Sequence, residues 1–194
     1  DQNAVLNLIS KREKINTKYI NMVPGADSAI KSIFEVFSKS KSKFVTIYPT
    51  YGMVQIYSYI YKIQMNKVYE SDIEKFLLNE TYKKISFLYI ANPNQPSGSY
   101  FNKKLILKII KKAKSQKKYI IIDEAYIDFA NERSISQLVK KCQINDPYRK
   151  ENNPPHLSHS RILTCFAPDI KRLNVLGATY LWQRGELPKS IFCV

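Results

Sequence analysis

Residues 84–126 read KISFLYIANPNQPSGSYFNKKLILKIIKKAKSQKKYIIIDEAY, with an apolar run of strand length near each end. Ile85-Ser86-Phe87-Leu88-Tyr89-Ile90 and Tyr119-Ile120-Ile121-Ile122 are nearly continuous in apolar character, as strands buried on both faces of a parallel sheet should be. Between them Leu105, Ile106, Ile109, Ile110 and Ala113 recur on one face of a helix, and Lys103, Lys104, Lys108, Lys111, Lys112 and Lys114 fill the rest. The unit is therefore strand, crossover helix with a solvated outer face, strand. Upstream, the β-branched and aromatic run Phe44-Val45-Thr46-Ile47-Tyr48 predicts another core strand. Residues 28–38, apolar at Ala29, Ile30, Ile33, Phe34, Val36 and Phe37, predict another helix. The alternation predicts an α/β fold, a doubly wound, mostly parallel sheet flanked by helices.

Composition bounds the rest. The 194 residues are 44% hydrophobic and 24% charged, which suits a globular domain and excludes global disorder. The formal net charge of +15 raises the question of a polyanionic partner, but the cations are 25 Lys and only 6 Arg, spread along most of the chain. Readers of bases and phosphates lean on Arg forks and clustered patches, so no nucleic-acid partner is expected. No run approaches the roughly eighteen to twenty apolar residues of a membrane span. Cys142, Cys165 and Cys193 form a sparse, odd set that suits a reducing compartment. The start, Asp1-Gln2-Asn3, is neither a signal peptide nor an initiator methionine. The expectation is a soluble, cytoplasmic chain cut at its front. His156, His159, Cys165 and Cys142 match no standard zinc spacing, so no metal is expected.

A break falls near residue 142. Through Cys142 there are 22 Lys, 2 Arg and 4 Pro; the other 52 residues hold 3 Lys, 4 Arg, 5 Pro, both histidines and the single tryptophan. The polar stretch from Asn145-Asp146-Pro147 to Asn153-Pro154-Pro155 reads as loop or disorder. Two regions are expected, a core over 1–142 and a divergent tail over 143–194.

In doubly wound sheets ligands bind beyond the carboxyl ends of the strands, so the sequence after each strand carries the chemistry. Here those sequences are Pro49-Thr50-Tyr51-Gly52, Asn92-Pro93-Asn94-Gln95-Pro96-Ser97-Gly98 and Asp123-Glu124-Ala125-Tyr126. Pro24-Gly25-Ala26-Asp27-Ser28 also precedes an apolar helix, where free amides can hold an anion. Each has an ordinary reading alone: an N-cap, a rigid turn, a packed aromatic, a strand-end cap. In this order, after these strands, they point to one crevice.

The ordered set resembles the fold-type I pyridoxal-phosphate aminotransferases of class I/II, and within them the histidinol-phosphate aminotransferase branch. The likeness spans about residues 20 to 140 and is most specific at Ile122-Asp123-Glu124-Ala125-Tyr126-Ile127-Asp128-Phe129. It implies an incomplete large domain that binds pyridoxal 5'-phosphate. The amides of Gly25, Ala26 and Asp27 would take the phosphate, and the Tyr51 ring would lie against the pyridine. Asp123 would face the pyridine nitrogen, and Tyr126 would donate to the ring oxygen. A carboxylate beside that nitrogen keeps it protonated, which makes the ring an electron sink. The implied reaction, one of amino-acid biosynthesis, moves an amino group between an amino acid or amino-alcohol phosphate and a 2-oxo acid. The complete family enzyme is a homodimer.

Two positions depart from the family pattern. Gln95 stands where the family has an Asn that bonds the ring oxygen; it keeps the amide and adds a methylene. More seriously, the family's Schiff-base lysine, expected some thirty residues after the Asp in a Ser-Lys-x-x-Gly-x-x-Gly-x-Arg setting, has no counterpart near residue 153. The later apolar run Ile162-Leu163-Thr164-Cys165-Phe166 is followed by Ala167-Pro168 rather than Ser-Lys. Lys171 is a weak candidate: Gly177 follows at the family spacing, but Thr179 replaces the Arg. The family break and the composition break coincide, which suggests a reading-frame change or a degraded gene beyond about residue 142. The chain then reads either as a truncated aminotransferase core or as a non-catalytic remnant or binding protein. A related amino-acid-phosphate decarboxylase would use the same Asp123 and Tyr126.

Overall fold

The computed structural model describes residues 2–17, 20–38, 42–78, 84–116, 118–130, 134–136, 162–166 and 191–193. In chain order the elements are α1 (Gln2–Glu13), β1 (Ile20–Met22), α2 (Gly25–Phe37), β2 (Lys43–Tyr48), α3 (Gly52–Ile60), β3 (Gln64–Tyr69), α4 (Ile73–Leu78), β4 (Phe87–Ala91), α5 (Lys103–Ser115), β5 (Tyr119–Asp123), β6 (Ile162–Phe166) and β7 (Ile191–Cys193). The described strands form one sheet in the order β1-β7-β6-β5-β4-β2-β3. Every neighbouring pair is parallel. This is the predicted α/β architecture, with helices on both faces.

The apolar strands sort their side chains by period two. On one face Phe44, Phe87, Tyr89, Ala91 and Ile121 pack beneath α2 and α3 with Ile33, Phe34, Val54 and Tyr57. Phe34 meets Phe44 and Phe87 edge-on, at centroid distances of 5.1 and 5.6 Å. On the other face Val45, Ile47, Leu88, Ile90, Ile120 and Ile122 pack against Ile106, Ile109 and Ile110 of α5, with Ile9 of α1 and Ile73 of α4. Each fully buried Ile or Phe contributes about 1.5–3 kcal/mol relative to exposure. The lysine-rich side of α5 faces out, as its periodicity requires.

Some boundaries differ from expectation. The helix predicted over 28–38 begins at Gly25, because its first turn is made of small residues that carry no apolar period. The strand predicted over Ile85–Ile90 runs Phe87–Ala91; Ser86 instead lies in the approach, where its N–H donates to the Lys43 carbonyl at 2.7 Å. Strand β3 has no apolar run to betray it, since it forms the edge of the sheet and its side chains are exposed or half-buried. Ile162–Phe166 is a strand beside β5, with Cys165 opposite Asp123. Among the described residues no helix is long and apolar enough to cross a membrane.

The strand order positions the crevice. From β2 the chain moves outward to β3, then returns to β4 on the other side of β2 and continues inward to β5. The connections leaving β2 and β4 therefore run to opposite faces and open a gap beyond the carboxyl ends of those strands.

Candidate functional site

Asp123 ends β5 with its side chain buried at 5% exposure. Tyr89 Oη donates to Oδ2 at 2.5 Å, and the Ala125 N–H donates to Oδ1 at 3.0 Å. Burial pushes the carboxyl pKa up, and these two hydrogen bonds pull it partly back.

The loop after β4 is held by its asparagines. Asn92 accepts from the Phe101 N–H at 2.7 Å and donates to the Phe101 carbonyl at 3.2 Å, closing the loop on itself. Asn94 Nδ2 donates to the Pro49 carbonyl at 2.8 Å and to Ser97 Oγ at 3.0 Å. Gly98 turns the chain at φ +70°, and its N–H donates to the Asn94 carbonyl at 2.8 Å. With both asparagines engaged in the scaffold, Gln95 lines the cleft.

Tyr51 stands at the start of α3. Its phenol pKa is raised, first by burial and then by the charges of Asp27, Tyr126 and Asp123. Across from it, α2 starts at Gly25 with φ +88°, a conformation that favours glycine. Pro24 gives α2 no side-chain cap. The Gly25 N–H is taken by the Val23 carbonyl at 3.0 Å, which leaves the amides that follow it, from Ala26 on, to face an anion. Asp27 lies in that turn, and one of its oxygens accepts from Tyr57 Oη at 2.7 Å.

These pieces meet in an open cleft of about 110 Å³ lined by Ala26, Asp27, Tyr51, Gln95, Asp123 and Tyr126, over the apolar side chains of Ile30 and Ala91. Gly25 adjoins the lining through Ala26; Lys171 lies outside the described residues. A wider hollow shares Pro93, Gln95 and Tyr126 with the cleft and reaches Tyr100 and Phe129. Among the described residues, the buried side-chain oxygens without a hydrogen-bond partner include Asp27 Oδ1 in the first turn of α2, and Thr50 Oγ1 and Asn94 Oδ1 on the loops after β2 and β4. Buried polar atoms are normally paired, so their clustering marks a place built for a polar guest. A buried carboxyl group, an aromatic wall, an amide, a phenol and a helix N-terminus suit a planar heteroaromatic ring with a basic nitrogen and an anionic group.

Sequence reasoning missed the support beneath the site. Glu124 is fully buried and accepts from Ser134 Oγ at 2.6 Å and from the Ile135 N–H at 3.0 Å. Burial pushes its carboxyl up to about 7, with the nearby Glu13 carboxylate adding to the rise. Glu13, at the end of α1, accepts from Ser136 Oγ at 2.9 Å and pairs with Arg12 at 2.9 Å. Arg12 also bonds Asp128 at 3.0 Å. The first helix is thus fastened to the segment that follows Asp123. An acidic residue directly after a strand-end Asp was the available signal; its partners lie too far off in sequence to be paired with it by spacing.

The sequence profile of aminotransferase class I and II matches residues 2–146. A histidinol-phosphate aminotransferase of Bacteroides thetaiotaomicron is 31% identical over 140 residues, which cover 69% of this chain and 39% of that protein. A dihydroxyacetone phosphate transaminase of Campylobacter jejuni is 30% identical over 137 residues, covering 67% of this chain and 36% of the other. Among solved structures, the histidinol-phosphate aminotransferase of Clostridium acetobutylicum superposes with a TM-score of 0.56 at 25% identity, covering 70% of this chain and 41% of that one. The chain thus spans well under half the length of these relatives.

Proposed function

Because the chain belongs to the class I and II aminotransferases, we propose that it is the coenzyme-binding core of a pyridoxal-phosphate aminotransferase. The reaction is amino transfer between an amino acid or amino-alcohol phosphate and a 2-oxo acid. The observation that carries this reading is the buried Asp123 carboxylate at the bottom of a cleft walled by Tyr51, Gln95, Tyr126 and the start of α2. The donor set fits the coenzyme: an acceptor for a ring N–H, donors for a ring oxygen, and uncapped amides for a phosphate.

When bound, pyridoxal phosphate supplies a protonated pyridine ring that withdraws electrons from the substrate α-carbon. Asp123 accepts the hydrogen bond of the ring nitrogen and holds its proton there. Tyr51 covers one face of the ring and fixes its plane. Tyr126 donates through its hydroxyl and Gln95 through its side-chain amide to the ring oxygen. The amides of Ala26 and Asp27 take the phosphate, aided by the helix dipole, while Gly25, whose N–H is bonded to the Val23 carbonyl, shapes the turn that presents them. Asp27 keeps one oxygen turned to Tyr57, which moderates repulsion of that phosphate. Lys171 is the candidate for covalent attachment and proton transfer.

In its complete form the enzyme is a cytoplasmic homodimer. The exposed apolar side chains Ile56, Tyr59 and Ile60 along α3 support a covered face. We divide the chain into a core over 1–142 and a tail over 143–194 whose sequence follows another reading frame. The family match ends at residue 146, close to the composition break. Strands β6 and β7 come from the tail, so this boundary is one of sequence rather than of the sheet. The nucleotide sequence beyond codon 142 in three frames tests the division; an intact frame with no alternative encoding Ser-Lys overturns it.

Titration of the full chain with pyridoxal phosphate, followed by absorbance and fluorescence, tests the main reading. Saturable binding at one site, weakened by Asp123→Asn, is expected; unsaturable binding indifferent to that change overturns it. The Ala167-Pro168 pair where the family places Ser-Lys favours a second reading, a catalytically inert remnant. Borohydride reduction and peptide mapping separate the two. One adduct at Lys171 supports the enzyme, and scattered surface adducts support the remnant.

A further inference from the structure

One polar side chain interrupts the buried face of β4. Tyr89 is 0% exposed and shares its core with Phe87, Ala91 and Ile121. A buried hydroxyl is costly unless bonded. The register explains its bond to Asp123: Ala91 stands opposite Asp123 and Tyr89 opposite Ile121, so Tyr89 is the diagonal neighbour of Asp123 on the same face. A phenol is long enough to span that diagonal, and it delivers its hydroxyl to Oδ2 from below the cleft.

We propose that Tyr89 is a positioning residue for the coenzyme: its hydroxyl fixes the orientation of the Asp123 carboxylate and keeps it an anion, aimed at the pyridine nitrogen. The inference rests on the reading of the cleft as a pyridoxal-phosphate site. A carboxyl group this deeply buried tends to hold its own proton, and a neutral acid cannot keep a ring nitrogen protonated. Hydrogen bonds to the anion oppose that tendency. Among the described residues the cleft lining contains no Lys or Arg to do so. Among the described residues, the ionisable groups around Asp123 include Tyr89 from β4, Asp27 from α2, Tyr51 at the start of α3, and Glu124 and Tyr126 on its own segment. The Glu124 carboxyl is itself pushed up, first by burial and also by Asp123, so it lends the anion no support. The Ala125 N–H is supplied by the backbone whatever the side chain. Among the described residues, the Tyr89 hydroxyl is the side-chain donor that reaches the carboxylate.

The test is Tyr89→Phe in the full chain, which deletes the hydroxyl and keeps the ring. Carbon-13 titration of labelled aspartate carboxyls reads Asp123 without coenzyme, and its midpoint is expected to rise by about one pH unit. Affinity for pyridoxal phosphate at neutral pH is expected to fall about tenfold. In an Asp123→Asn background, Tyr89→Phe should cost no further affinity. An unchanged midpoint and affinity in Tyr89→Phe overturn the inference. So does an equal loss in the Asp123→Asn background, which would make Tyr89 a packing residue only. If the unaltered chain fails to bind pyridoxal phosphate saturably, the coenzyme reading itself falls.

Discussion

Asn94 donates from Nδ2 to the carbonyl oxygen of Pro49 at 2.8 Å, joining the loops after β2 and β4 across 45 positions of sequence. One loop carries Tyr51 and the other Gln95, so a single side-chain amide sets the spacing of two walls of the cleft. Asn94→Ala removes this bond and the one to Ser97. A loss of about 1–3 kcal/mol in urea unfolding is expected, together with weaker pyridoxal-phosphate binding. Unchanged affinity in a destabilised variant would show that the walls hold their spacing without the tie.

Glu124 makes stability depend on pH. Its folded-state pKa of about 7 lies above the ordinary 4.5, so the native state favours the protonated acid. That contribution is fully present below pH 4.5 and is lost as the pH rises through 7. Glu124→Gln keeps a neutral, hydrogen-bonding group of the same shape. The variant is expected to match the parent near pH 4 and to exceed it by about 2 kcal/mol at pH 8, measured by denaturant unfolding at both values.

At Asp123, stability and binding should move in opposite directions. Burial raises its pKa, so the anion is costly in the coenzyme-free protein at neutral pH. Asp123→Asn relieves that cost while removing the charge that faces the ring nitrogen. Thermal unfolding of the coenzyme-free variant should be unchanged or higher in temperature, with affinity for pyridoxal phosphate reduced about a hundredfold. A variant that binds normally would disconnect Asp123 from the coenzyme.

Gly25 and Gly52 make a matched pair. A Cβ at either position meets nothing within 4 Å, but only Gly25, at φ +88°, holds a conformation that other residues resist. Gly25→Ala should cost about 1–2 kcal/mol and loosen the first turn of α2. Gly52→Ala, in a helical first turn, should be neutral or slightly stabilising. Equal effects in the two variants would remove the case for a conformational requirement at Gly25.

The legible part of this protein was the part written in local pattern. β4, α5 and β5 announced themselves because both strands are buried on two faces and the helix on one. The cleft residues Gly25, Tyr51, Gln95, Asp123 and Tyr126 were legible because each follows or precedes such an element in a short polar turn. β3 was not, since an edge strand needs no apolar run. Tyr89 was absorbed into the apolar reading of β4, because an aromatic in a buried strand looks like core until its hydroxyl is traced to the neighbouring strand. Glu124 was passed over as part of a motif; its partners Ser134 and Ile135 lie beyond a turn, and Glu13, whose charge adds to its shift, comes from the other end of the chain.

Among the described strands β1 pairs with β7 alone, and β7 reaches β5 through β6. The turn that presents Gly25 and Ala26 hangs from β1, whereas Asp123 hangs from β5. Two short ladders from the far end of the polypeptide are thus the rungs between the phosphate end of the cleft and its ring end. If the polypeptide stopped where the family match stops, β1 would have no strand to pair with among the described residues, and side-chain ties such as Arg12 to Asp128 and Tyr57 to Asp27, with the packing of α1 and α2, would have to keep the two ends in register. Any sequence that replaces the tail must therefore still supply a pair of parallel strands there, whatever else it encodes.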